Sequence, residues 1–216
     1  MAPEEMQSRQ TQHMSCRRLC ALAALFVAVT WSTASCGGHV EAASPPSDPV
    51  DELSQHGGRF CPAALPRAPR ETYGFGTEDR AAAVPSLWKP QQAWLCRYVS
   101  QNVAPRGSNG AWFDWVRLGA PRRLDAQQLA AFSTAITQFK VPRRDRACTD
   151  DLGPRYLVSY SYEQDLTGVV IDDYGCGDVR VTDDPFSSVP GNPSQPGTIK
   201  GVLTGPNGLL GDLDVR

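Results

Sequence analysis

Between Cys148 and Asp184 the chain carries two short apolar runs separated by turn formers. Tyr156-Leu157-Val158-Ser159-Tyr160-Ser161-Tyr162 and Gly168-Val169-Val170-Ile171-Asp172-Asp173 are rich in β-branched and aromatic residues, and Glu163-Gln164-Asp165 between them is polar. The pattern predicts an antiparallel hairpin bounded by Gly153-Pro154 and Gly175. A period of two places Tyr156, Val158, Tyr160 and Tyr162 on one face and Leu157, Ser159 and Ser161 on the other. One face is therefore expected to be buried, and the tyrosine face is the expected core.

Upstream, Ala93 to Val99 and Ala111 to Leu118 read as a second hairpin, joined by a loop over 105–110 that is long enough to be mobile. A helix follows. Asp125 is a good N-cap, Gln128 completes a capping box, and Leu124 can staple onto Leu129. Leu129, Phe132, Ile136 and Phe139 then recur at steps of three and four, a stripe that should lie on a sheet until Pro142 ends the helix. Phe60 to Val84 lacks such periodicity and is expected to be an irregular arm. Val179-Arg180-Val181 reads as a short strand, Pro185 to Gly197 as irregular, and Ile199 to Leu210 as a short helix or edge strand. The order β-β-α-β-β predicts an α+β fold, an antiparallel β-sheet of two hairpins with one crossover helix.

The first residues look like a targeting segment. Arg17-Arg18 precede an apolar run from Leu19 to Val29 that is too short to span a bilayer but suits a signal peptide, with Met14 as the expected true start. The arginine pair also raises twin-arginine export, although Cys20 stands where that signal carries a bulky apolar residue, and the general secretory route fits better. Thr33-Ala34-Ser35-Cys36-Gly37 resembles a bacterial lipobox, whose cysteine is acylated and becomes the new N-terminus; Thr33 stands where leucine is usual. The alternative is ordinary cleavage near Ala34 with a free thiol left behind. Residues 1–35 are thus read as the leader, 36–58 as a lipidated cysteine and Gly-, Pro- and Ser-rich tether, and 59–216 as one globular domain. Several acyl chains on Cys36 would make the membrane a firm partner.

Removing the leader and assigning Cys36 to lipid leaves Cys61, Cys96, Cys148 and Cys176 for an oxidising compartment. Four cysteines allow three pairings. Cys61 with Cys96 and Cys148 with Cys176 are favoured because each pair is adjacent in sequence, and because the second would close the hairpin. The second is expected to matter more to stability. Zinc is not expected: the spacing lacks a C-x-x-C, and His13, His39 and His56 all fall in the leader or tether. With the domain starting at Arg59, Ser-His-Asp and Cys-His catalysis would be excluded. Neither a metal nor another cofactor is expected.

Several fragments together resemble a recurrent type of exported actinobacterial lipoprotein with no assigned function. They are Leu87 to Pro90 leading into Ala93 and Cys96-Arg97-Tyr98, then Tyr156-Leu157-Val158, then Val169-Val170-Ile171-Asp172 ending in Gly175-Cys176. Eighteen arginines against three lysines suit a high-GC genome. The resemblance implies a compartment and a disulfide pattern, and carries no catalytic residue.

Charge is unevenly divided. Residues 59–146 carry a balance of plus eight and residues 147–216 a balance of minus seven. The two halves should attract, or else one should meet a charged envelope component. Asp172, Asp173, Asp178, Asp183 and Asp184 fall around the Gly175-Cys176-Gly177 turn. Such carboxylates could form a solvated loop, hold a hard cation, or serve as a glycosidase pair. Trp88, Trp94, Trp112, Phe113 and Trp115 make the first hairpin aromatic, as core or as a partner surface. Ser86-Leu87-Trp88-Lys89 matches S-x-x-K, but Pro90 follows at once and no K-T-G is present. Nucleic acid is not an expected partner, because the chain lacks a lysine-rich patch. The expected function is a membrane-tethered, non-enzymatic protein at the outer face of the cell membrane that binds an envelope protein or glycan. The alternative is a carboxylate-dependent hydrolase of cell-wall glycans.

Overall fold

A computed structural model describes residues 51–68, 76–104, 112–149, 152–163, 165–193 and 198–215. The leader, Cys36, most of the tether, the 105–110 loop and Gln164 lie outside the described residues. Among the described residues no helix is long and apolar enough to cross a membrane.

The elements are α1 (Glu52–Gln55), β1 (Ala93–Asn102), β2 (Phe113–Arg123), α2 (Ala126–Ile136), β3 (Arg155–Tyr162), β4 (Asp165–Asp172), β5 (Asp178–Thr182), β6 (Val202–Thr204) and α3 (Leu209–Asp212). The six strands form one sheet in the order β2-β1-β3-β4-β5-β6, each pair antiparallel. The α+β class and the antiparallel sheet are therefore as expected, but the four-strand order β-β-α-β-β is incomplete. Gly168 to Ile171 is buried, so its backbone N–H and C=O groups need strand partners along both edges of β4, and β5 and then β6 continue the sheet.

Both hairpins form, with shifted ends. Tyr162 pairs with Asp165, so the second turn is shorter than the polar triplet suggested, and Glu163 takes a left-handed φ of 49° to close it. In the first hairpin β2 runs on to Arg123, with the pairing interrupted between Leu95 and Arg97 where Gly119 and Pro121 stand opposite. Proline lacks an N–H, and β2 is an edge strand on which such a gap is tolerated.

Helix α2 keeps its capping box. The Gln128 amide donates to Asp125 Oδ1 at 2.8 Å, and the Asp125 amide donates back to Gln128 Oε1 at 3.1 Å. It ends at Ile136, earlier than Pro142 would require, so Phe139 enters the core from the following turn. Phe132, Ala135, Ile136 and Phe139, with Leu209 and Leu213 around α3, cover one sheet face carrying Leu95, Tyr156, Val158, Tyr160, Val169, Ile171 and Val181. Burying each of the Leu, Ile, Val and Phe side chains among them contributes roughly 1.5–3 kcal/mol.

The tyrosine face is thus a core, but the other face is buried too, which corrects the one-face expectation. Leu157 and Ser159 are both fully buried. Their cover is the arm: Phe60, Cys61 and Leu65 pack on Cys96, Tyr98, Trp115, Leu157, Leu166 and Val170. Cys61 is bonded to Cys96, and the Tyr98 hydroxyl donates to Pro62 O at 2.9 Å. Cys148 is bonded to Cys176. Both disulfide pairs are those expected from adjacency.

The folded part also starts earlier than Arg59. Asp51 caps α1 by accepting from the Ser54 amide at 2.8 Å, and Leu53 packs on the arm-side core. The end of the stretch read as tether is therefore docked structure.

Candidate functional site

The register of the central strands brings charge inside the molecule. Val179 and Val181 face α2, so Arg180 between them must face the arm. Arg155 pairs in register with Asp172, and Val170 with Arg180, so all three charged residues meet on the arm side at one end of the sheet. All three are buried. Arg155 Nε approaches Asp172 Oδ1 at 2.8 Å and Arg180 Nη1 approaches Asp172 Oδ2 at 2.5 Å. Arg180 Nε also donates to Thr77 O at 2.9 Å, and its Nη2 lies 3.6 Å from Asp178 Oδ2. Arg146, from the loop before β3, ion-pairs with Asp178 and so joins the basic and acidic halves of the chain.

Aromatic rings complete this end. The Arg155 guanidinium carbon lies 4.2 Å from the centre of the Trp115 ring, and Arg155 Nε donates to the Tyr174 hydroxyl at 3.0 Å. Burial pushes the Tyr174 phenol up to about 12, so it remains a neutral hydrogen-bonding group. Gly175 and Gly177 turn the chain with φ of 57° and 64°. The turn is clamped by Cys148–Cys176, which is half-exposed, whereas Cys61–Cys96 is fully buried.

Two clefts flank this turn. One, of about 440 Å³, is lined by Glu78, Arg146, Leu152, Arg155, Tyr174 and Arg180 among others. The other, of about 420 Å³, lies between the turn and the Thr204 to Gly211 segment. The first places a cation, a phenol and an exposed leucine within one opening, a combination suited to holding a polar ligand.

The five aspartates do not converge. Asp172 and Asp178 belong to the arginine network, Asp173 is exposed, and Asp183 and Asp184 are buried beyond the far end of β5. Four strand steps, roughly 13 Å, separate the ends of β5, more than either glycosidase carboxylate spacing. Among the described residues no group of three or more His, Cys, Asp or Glu is placed to hold a metal ion.

The far end holds residues that the sequence assigned to the tether. Glu52 Oε2 accepts from the Leu166 amide at 2.8 Å. Burial, aided by Asp165, Asp184 and Asp183 and opposed by the Leu166 amide, pushes its carboxyl up to about 7. His56 stacks on Phe186 with ring centres 3.9 Å apart, and its Nε2 lies 3.1 Å from Asp184 Oδ2. The exclusion of histidine from the folded part is thus corrected. Ser187 Oγ donates to the same Asp184 oxygen at 2.8 Å, so the hydroxyl serves the carboxylate and not the imidazole, unlike a nucleophile–base pair.

Of the aromatic residues, Trp115 is buried, Trp94 stacks on Phe60 at 3.6 Å, and Trp112 and Phe113 are half-buried. Trp88 is 57% exposed and stacks on Tyr162 at 4.5 Å. Ser86 to Lys89 is not helical, so the S-x-x-K match lacks the setting that motif needs.

Arg146, Arg155, Arg180, Tyr174, Glu52 and His56 were not among the sequence candidates. The one available signal was an arginine framed by valines beside a strand apolar on both faces. Compared with protein-family models, with curated proteins and with solved structures, the chain matches none of them.

Proposed function

We propose that the chain is an exported lipoprotein, held at the outer face of the membrane through Cys36, that binds an envelope protein or glycan without transforming it. The cleft beside the Cys148–Cys176 turn is its ligand seat. The observation that carries this reading is the commitment of Asp172 and Asp178 to arginine partners beneath that cleft. Carboxylates held this way are poor proton carriers but stiffen a recognition surface. Arg146 at the rim has a side chain 24% exposed, and Leu152 is 39% exposed, so the opening offers a cation beside an apolar contact.

The test is a photo-crosslinking residue placed at Leu152 in the full chain in intact cells, with Leu118 as control. Leu118 is 51% exposed and does not line the cleft. Selective capture of an envelope component from position 152 is expected. Identical capture from both positions, or none, contradicts the cleft as the seat.

A second reading, a carboxylate-dependent hydrolase of cell-wall glycans, is favoured by Glu52 alone. A carboxyl raised to about 7 beside Asp183 and Asp184 is how an acid and a base can be set apart. Release of reducing ends from purified cell wall by the full chain, abolished in Glu52→Gln, would establish it in place of the binding reading.

A further inference from the structure

Residues 51–59 form a strap laid over the end of β4 and the segment after β5. Leu53 reaches the arm-side core, Glu52 holds the Leu166 amide, and His56 lies flat on Phe186 while touching Asp184. Arg59 folds back: its Nε donates to His56 O at 2.8 Å, and its guanidinium carbon lies 5.8 Å from the Phe186 ring centre. The polar contacts that fix the strap on its seat run largely through the Glu52 and His56 side chains.

We propose that this strap is an acid-closed latch, docked through Glu52 in mildly acidic surroundings and released as the surroundings turn alkaline. Glu52 is faced by Asp165 from β4 and by Asp183 and Asp184 from the segment after β5, with Asp51 and His56 on its own short helix and Arg59 beyond. Losing its proton places a fourth carboxylate charge among three aspartates in a partly desolvated seat. The sign follows from linkage. Because the docked carboxyl is raised to about 7 from 4.5, docking is favoured at low pH and loses support as pH rises through about 7.

Release would free the chain back to Phe60, next to the disulfide-pinned Cys61. That adds nine residues of reach, up to about 30 Å, between the tether and the domain. This consequence for membrane distance rests on the lipid-anchored reading. The latch itself does not, nor does it depend on the cleft's ligand.

The experiment is hydrogen exchange on the full chain between pH 5.5 and pH 8.5, corrected for intrinsic rates. The reporters are the amides of Leu166, Gln55 and His56, with Val158 reporting global opening. Protection of the three strap reporters is expected to fall about tenfold across that range, one pK unit of linkage, while Val158 changes far less. Glu52→Gln should remove most of that fall. Should this variant not fold, Asp165→Asn at an exposed position should shrink the fall by removing one repelling charge. Strap protection that is constant with pH in the natural chain, or that falls equally in both variants, overturns the latch.

Discussion

At the Asp178 end of β5 opposite charges alternate, and at the Thr182 end like charges crowd together. Arg155, Asp172, Arg180, Asp178 and Arg146 form a chain of matched partners in which both central guanidinium groups are nearly sealed from water. Burial, with Asp165, Asp184 and Asp183 close by, instead raises the cost of ionising Glu52, opposed by the Leu166 amide, and burial with Asp183 does the same to Asp165. Buried charges are stable only with partners, so the first end should behave as scaffold across the physiological range and the second as a responsive contact.

The largest effect should come from breaking the matched end. Asp172→Ala leaves two buried guanidinium groups facing each other and should cost about 3–5 kcal/mol. Thermal melting at pH 7 should fall by roughly 10 °C for a domain of this size. A change under 2 °C would mean that water or another group already screens Arg155 and Arg180.

The disulfides come next, each expected to contribute roughly 2–4 kcal/mol, with similar loop lengths of 35 and 28 residues. The sequence ranked the hairpin clamp first. Burial argues for the opposite order, because Cys61 and Cys96 are each 1% exposed and pin the arm against the β1 to β4 part of one sheet face. Removing both cysteines of that pair should lower the urea midpoint more than removing Cys148 and Cys176. The latter change should instead loosen the turn beside the cleft, visible as faster exchange at Gly177, whose amide bonds Tyr174 O at 2.9 Å.

Smaller again is the response of the crowded end. Glu52→Gln should make the chain more stable at pH 8.5 than the natural sequence and indifferent at pH 4.5. Solvent screening of this partly exposed group keeps the gain to about 1 kcal/mol or less. Denaturant titrations at the two pH values check the sign. Trp88→Ala should be smallest, under about 1.5 kcal/mol in the same titrations, because the ring is more than half exposed and gives up mainly its stacking on Tyr162.

What was legible in the sequence was local. The Asp125–Gln128 box and the alternation from Tyr156 to Tyr162 read correctly because capping and side-chain period are set by neighbours in the chain. The second buried face was not legible, because its cover is an arm without periodicity that is placed by a disulfide and by Tyr98 bonding Pro62. Helix α1 escaped for a related reason. Four residues carry too little period to detect, and Gly57-Gly58 next to them read as tether, whereas Glu52 and His56 are held by Leu166 and Asp184, more than a hundred positions away. Arg155 escaped because a charged residue at a strand start reads as surface, and only the register with Asp172 turns it inward.

The contrast between the two ends is tested most directly by following two amides of the full chain together. The Asp173 amide donates to Pro154 O at 3.0 Å beside the arginine network, and the Leu166 amide donates to Glu52 beneath the strap. Between pH 5.5 and pH 8.5, corrected protection at Leu166 should drop about tenfold while Asp173 holds within about twofold. Equal loss at both amides, or none at either, would contradict the division of this sheet into a matched end and a titrating one.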